Sequence, residues 1–131
     1  MDFIGNNLTK IRNAIMARKP SVKIHYSKIL EKIAEKMLEY GFIRKYQVVN
    51  ESNNKRSIII ELKYSKRTGE PVIHEIKRVS TPGRHLYVSA RKLPVVKNNM
   101  GIAILTTDKG VKTERECRKE NIGGELICYI W

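Results

Sequence analysis

Residues 101–131 (GIAILTTDKGVKTERECRKENIGGELICYIW) constrain the fold more tightly than any other part of the chain. They read as an apolar strand, a hydroxyl-rich basic turn, a short charged helix, a double-glycine turn and a second apolar strand. Ile102, Ala103, Ile104 and Leu105 run directly into Thr106, Thr107, Asp108, Lys109 and Gly110. Small polar side chains and one lysine therefore stand at the tip of a stiff element. Thr113 and Glu116 have the T-x-x-E spacing in which each side chain bonds the other residue's amide, which starts a helix abruptly. Gly123 and Gly124 admit a positive φ or a close backbone approach that larger residues resist.

The remainder supplies the other elements of an α+β fold in two small lobes. Ile4, Leu8, Ile11 and Ile15 recur at helical spacing and predict a helix over residues 2–17. Asn6, Thr9, Lys10 and Asn13 fall on its opposite face with Arg12 at the flank, a mixture of hydroxyl, amide and cationic donors suited to phosphate and sugar. Pro20 ends the helix, and Val22, Ile24 and Tyr26 alternate as a strand. Ser27 caps a second helix built on Leu30, Ile33, Ala34, Met37 and Leu38, which Gly41 stops. Residues 43–49 and 57–62 form a hairpin around the turn at 50–54. This gives an α-β-α-β-β lobe over residues 1–66, with the polar stretch 65–70 as the connection. The second lobe, 67–131, is mainly antiparallel β with strands at 72–79, 86–88, 102–105 and 125–130 and a helix at 113–120.

Charge says what such a chain meets. Lys and Arg number 26 against 13 acidic residues, a net charge of +13. Self-repulsion of that size is usually explained by a polyanionic partner. The cations are also segregated. Residues 3–30 hold Lys10, Arg12, Arg18, Lys19, Lys23 and Lys28 without one acid, and residues 76–107 hold Lys77, Arg78, Arg84, Arg91, Lys92 and Lys97, again without one. A surface built for solubility intersperses both signs, as residues 31–39 do; acid-free windows face phosphates.

Catalytic chemistry is not visible. His25, His74 and His85 lie far apart with no carboxylate or cysteine at metal-ligand spacing, and neither a P-loop nor a nucleophile elbow is present. No metal, cofactor or small-molecule substrate is expected. Cys117 and Cys128 read as reduced thiols, Cys128 as a small core residue. No signal peptide, transit-like leader or membrane span is apparent, so no membrane partner is expected. A basic RNA-processing enzyme is the alternative reading; it lacks a carboxylate or histidine constellation. General DNA binding is a third, and predicts equal affinity for duplex DNA and structured RNA.

Three segments in order resemble one family. Leu8-Thr9-Lys10-Ile11-Arg12-Asn13-Ala14 is similar to an amino-terminal LTRIRNA helix. Residues 78–84 (RVSTPGR), followed by Leu86-Tyr87-Val88 and Leu93-Pro94, are similar to a central R-x-S-K-P-G-R segment. Residues 101–131 are similar to an apolar strand that leads into a Ser-Thr-Ser-basic-Gly turn, here Thr106-Thr107-Asp108-Lys109-Gly110, and they close in GGE, two apolar residues and Cys-Tyr. Together they resemble small-subunit ribosomal protein eight of the bacterial type, over essentially the whole chain. The resemblance implies a structural constituent of the small ribosomal subunit, a primary binder that orders the central domain of the ribosomal RNA during assembly. It also implies neighbouring ribosomal proteins as partners, repression of the protein's own messenger, and a ribosome in the bacterial cytoplasm, a plastid or a mitochondrion.

The candidate RNA contacts follow. The turn Thr106, Thr107, Asp108 and Lys109 acts with Gly123, Gly124 and Glu125; Ser80, Pro82, Gly83 and Arg84 come from the central segment; Thr9, Lys10, Arg12, Asn13 and Lys28 come from the first basic window. Tyr87 stacks on a base or bonds the RNA backbone, unless it faces inward as a strand aromatic. Glu125 accepts from a base amino group or pairs with a lysine. Three positions depart from the family pattern, and Thr106 stands where it has its first serine. Asp108 replaces a serine, so it repels phosphate but can accept from guanine or cytosine amino groups. Thr81 replaces the lysine before Pro-Gly, removing a phosphate contact.

Overall fold

The apolar stripe of the first segment forms helix α1, Phe3–Met16, with Leu8, Ile11 and Ala14 buried and Asn6, Thr9, Lys10 and Asn13 turned to solvent. The computed structural model describes residues 2–131, which divide into two compact units: Phe3–Ile73, and Asp2 with His74–Trp131.

In the first unit, α1 is followed by strand β1 (Ser21–His25), helix α2 (Lys28–Glu39) and the hairpin β2 (Ile43–Asn50) and β3 (Arg56–Leu62). The antiparallel sheet has the order β1-β3-β2. The central strand β3 buries Ile58, Ile60 and Leu62, and Ile24 pairs across from Ile58. The buried stripes of α1 and α2 (Leu30, Ile33, Ala34 and Met37 on the latter) complete this core. Two side chains set the helices in register. Ser27 Oγ accepts from Leu30 N at 3.0 Å and caps α2, which ends at Gly41 with φ +79°. Asn7, 1% exposed, donates to Phe3 O at 2.8 Å and accepts from His25 N at 3.0 Å, fastening α1 to the end of β1. The same hydrophobic periodicity that forms α1 thus hides a polar clamp at Asn7. A buried amide is tolerated only when both its ends are bonded, as here.

The second unit contains β4 (Ile76–Arg78), β5 (Tyr87–Val88), β6 (Ile102–Thr107), β7 (Gly110–Thr113), helix α3 (Glu114–Glu120) and β8 (Gly124–Ile130). Its antiparallel sheet runs β4-β8-β6-β7, with β5 also paired to β8. Ala103 and Leu105 bury into a cluster with Val96, Cys117 and Leu126, while Ile102 and Ile104 on the other face of β6 are at most 1% exposed. A strand buried on both faces explains the uninterrupted IAIL run. Cys117 and Cys128 are buried and outside any disulfide; burial, then Glu116 and Glu120, push the Cys117 thiol above its ordinary range.

Two elements differ from the sequence expectation. The strand expected over 72–79 is only β4, because Val72 N still bonds Lys63 O at 3.0 Å and both His74 N and Glu75 N turn to Trp131 O. Regular pairing begins at Ile76 opposite Ile130. Strand β7 is additional. Residues 110–113 pair with 104–107, so the basic turn is a two-residue hairpin rather than a link from strand to helix.

Helix α3 starts through the full reciprocal box: Thr113 Oγ1 accepts from Glu116 N at 3.3 Å and Glu116 Oε1 accepts from Thr113 N at 2.9 Å. Asn121, left-handed at φ 56°, ends it. The first two helical side chains then continue the sheet where β7 stops. Fully buried Glu114 accepts from Ala103 N at 2.9 Å through Oε1, and Arg115 donates to Gly101 O at 3.1 Å and to Asn99 O.

Candidate nucleic-acid interface

At one end of the second sheet, β6 turns into β7 through Asp108 and Lys109, with Thr107 paired to Gly110. Gly110 sits at φ +106°, which a side chain would strain, so glycine closes this turn for conformational reasons. Thr107 stiffens it: Oγ1 donates to Gly110 O at 2.7 Å and accepts from Lys109 N at 3.1 Å. Thr106 Oγ1 is shut off from solvent and has no hydrogen-bond partner. Of the four turn residues, Asp108 and Lys109 are the exposed ones.

The double glycine serves a different purpose. Neither Gly123 nor Gly124 has a positive φ; both are required by close approach. A methyl group on Gly123 would overlap Val88 O and stand 2.9 Å from Ser89 Cα, and one on Gly124 would overlap Thr106 O and stand 2.9 Å from Thr107 Cγ2. The start of β8 is therefore wedged between β5 and the end of β6. That wedge aligns Tyr87, Glu125 and Thr106 as direct neighbours across three strands.

Tyr87 is 69% exposed, so the inward-facing alternative does not hold. Glu125 Oε2 meets His85 Nδ1 at 2.5 Å, so its partner is a histidine and not a lysine. The His85 and Tyr87 rings stack at a 6.5 Å centroid distance. Upstream, Thr81 and Arg84 bond each other's backbone at 2.9 and 3.1 Å, which puts Pro82 and Gly83 at an exposed turn beside the exposed Arg84. Ser80 points inward; it is 1% exposed and its Oγ accepts from Leu86 N at 2.9 Å, bracing the loop that delivers Tyr87. Arg78, the first residue of the same motif, bonds both Asp2 carboxylate oxygens at 3.1 and 3.2 Å and Ile127 O at 2.9 Å.

The first unit presents a second basic region. Lys10 and Asn13 line a groove of about 520 Å³ between α1 and β1 together with Lys19 and Lys23. An adjoining concavity of about 560 Å³ shares Lys10 and Lys23 and adds Lys55, Arg56, His25 and Tyr26. Arg56 lies 4.0 Å from the Tyr26 ring centre. Lys23 pairs with Glu51, whose carboxyl is held below its usual range first by the Lys23 hydrogen bond and then by one from Ser57. Thr9, Arg12 and Lys28 line neither concavity; Arg12 donates to Thr9 Oγ1 at 3.3 Å, and Lys28 is the exposed first residue of α2. Lys55 and Arg56 escape a sequence reading because they follow the hairpin turn beside Glu51, outside any acid-free window. The register Lys23–Ile59 and His25–Ser57 is what carries them to β1.

Among the described residues, no group of three or more His, Cys, Asp or Glu is placed to hold a metal ion, and no helix is long and apolar enough to cross a membrane. The family model described as Ribosomal protein S8 matches residues 2–131. The chain belongs to the ribosomal protein S8 family. It is similar at 48% identity to the small ribosomal subunit protein uS8 of Dictyoglomus turgidum, covering 99% of this chain and 97% of that protein. The uS8 protein of Sulfurihydrogenibium sp. is 46% identical over 99% and 98% of the two chains, and that of Chlamydia trachomatis serovar D 47% identical over 99% and 96%. Membership of the S8 family makes this a structural ribosomal protein, not an enzyme. The RNA-processing alternative has no support.

Proposed function

We propose that this protein is a structural constituent of the small ribosomal subunit that binds the central domain of the ribosomal RNA and orders it during assembly. Neighbouring ribosomal proteins are its other partners, and it acts within the ribosome. The observation that carries this reading is the exposed set Arg84, Tyr87, Asp108 and Lys109, mounted at one end of a sheet that the double glycine packs backbone to backbone. A stiff frame of this kind meets an irregular RNA helix with little ordering cost. Thr106, Thr107, Ser80, Gly123 and Gly124 act as its scaffold. Lys10 and Asn13, joined by Lys19 and Lys23, offer phosphate contacts on the first unit, with Thr9, Arg12 and Lys28 at their edges.

The test is equilibrium binding to transcripts of the separate domains of small-subunit ribosomal RNA and to duplex DNA, at several salt concentrations. The reading expects the central-domain transcript to bind at least about tenfold more tightly than the other domains or the DNA. Equal affinity for all of them would leave only non-specific charge attraction and overturn it.

A further inference from the structure

Neither hydroxyl of the β6–β7 hairpin can donate to an outside partner in this conformation. Thr107 Oγ1 donates its proton to Gly110 O and accepts from Lys109 N, and Thr106 Oγ1 is closed to solvent. The nearby acceptor Glu125 is engaged by His85. What the turn offers outward is the carboxylate of Asp108 and the ammonium of Lys109. Both are exposed, and neither side chain has a hydrogen bond or ion pair among the described residues.

An unpaired carboxylate at the tip of a chain with net charge +13 is costly against phosphates, and phosphates are what Lys109 would meet. The carboxylate is compatible with RNA where it faces a donor. The major groove of A-form RNA is too deep and narrow for a side chain, whereas the minor groove is wide and shallow. Its donors are the 2′-hydroxyls, which every nucleotide carries and which distinguish no base, and on the base edges the 2-amino group of guanine. From this geometry we infer that Asp108 is a specificity-determining residue, accepting from a guanine 2-amino group in the minor groove while Lys109 engages the adjoining phosphate. The inference rests on the RNA-binding reading above and names the chemical group that the same turn selects.

Inosine lacks only that amino group, which makes the test direct. Central-domain transcripts carrying randomly incorporated inosine are bound by the wild-type protein, by Asp108→Ser and by Asp108→Asn, and positions depleted from the bound fraction are mapped. Circular dichroism confirms each fold; Asp108 is an exposed turn residue, so the variants should fold. The wild type should show at least one guanine position where inosine weakens binding about tenfold. That sensitivity should vanish in Asp108→Ser and shrink in Asp108→Asn, whose amide oxygen still accepts. Identical inosine profiles in wild type and Asp108→Ser, or uniformly tighter binding by Asp108→Ser at every transcript, would overturn the inference while leaving RNA binding intact. Failure of the wild type to prefer the central-domain transcript would overturn both.

Discussion

Gly123→Ala separates two reasons for placing glycine in this fold. The added methyl would overlap Val88 O and lie 2.9 Å from Ser89 Cα, and both obstacles are backbone atoms that no rotamer change can move. Relief requires β8 and β5 to part. Overpacking of this kind costs about 1–3 kcal/mol. The alanine also restricts the unfolded chain, which returns about 0.4–1 kcal/mol. The difference spans about 0–2.6 kcal/mol, and overlap with backbone atoms places the variant in the upper half, a loss of about 1.3–2.6 kcal/mol and a fall in Tm of roughly 4–13 °C for a domain of this size. Thermal and urea unfolding followed by circular dichroism measure it. Gly83→Ala is the control: no heavy atom lies within 4 Å of its added methyl and its φ is not positive, so it should keep the unfolded-chain gain and be as stable as wild type or up to about 1 kcal/mol more so. Because β5 carries Tyr87, Gly123→Ala should also weaken RNA binding. Equal unfolding midpoints for the two alanine variants would refute the close-approach argument.

Four further outcomes follow from contacts elsewhere. Glu114→Ala should cost about 2–4 kcal/mol in urea unfolding, since it orphans Ala103 N and leaves a void, whereas Glu114→Gln should cost clearly less because its amide oxygen still accepts. Ser27→Ala removes the cap on Leu30 N and should lower stability by about 1 kcal/mol in the same assay. Lys23→Met should let Glu51 titrate at higher pH, read by carboxyl carbon NMR; since its folded carboxyl is depressed, the stabilisation from this pair is present above the unfolded glutamate range and is lost as pH falls through the folded one. Lys109→Ala should weaken binding to all structured RNAs and reduce the slope of log K against log salt by about one.

Much of this architecture is written in local patterns. The Ile4-Leu8-Ile11-Ile15 stripe, the Ser27 cap, the Gly41 stop and the Thr113–Glu116 box each act within one or two helical turns, so the sequence states them directly. Strand β7 is not legible because GVKT is too short and too polar to declare itself; it is a strand because Gly110 lets the chain fold back onto β6. The late start of the expected strand at 72–79 depends on Trp131 O, more than fifty residues away along the chain. At the candidate interface, residue types suggested which positions to examine, but not their direction. Ser80 is drawn inward by Leu86 N, Thr107 is consumed by its own turn, and Glu125 finds His85 because the loop at 81–84 doubles back. The hydrogen-bond partner each side chain finds decides such matters, whether three residues away or forty, and periodicity carries no trace of it.

The side chains of Glu114 and Arg115 bear on the life of the protein away from RNA. Where β7 ends, Ala103 N and Gly101 O would otherwise stand as an open donor and acceptor on the rim of an apolar strand, a template on which a second molecule could add a strand of its own. A carboxylate and a guanidinium occupy the two positions instead, and a visiting backbone would have to displace both. Free protein waiting for its partner is thereby kept from growing into ribbons of shared sheet through its most hydrophobic segment.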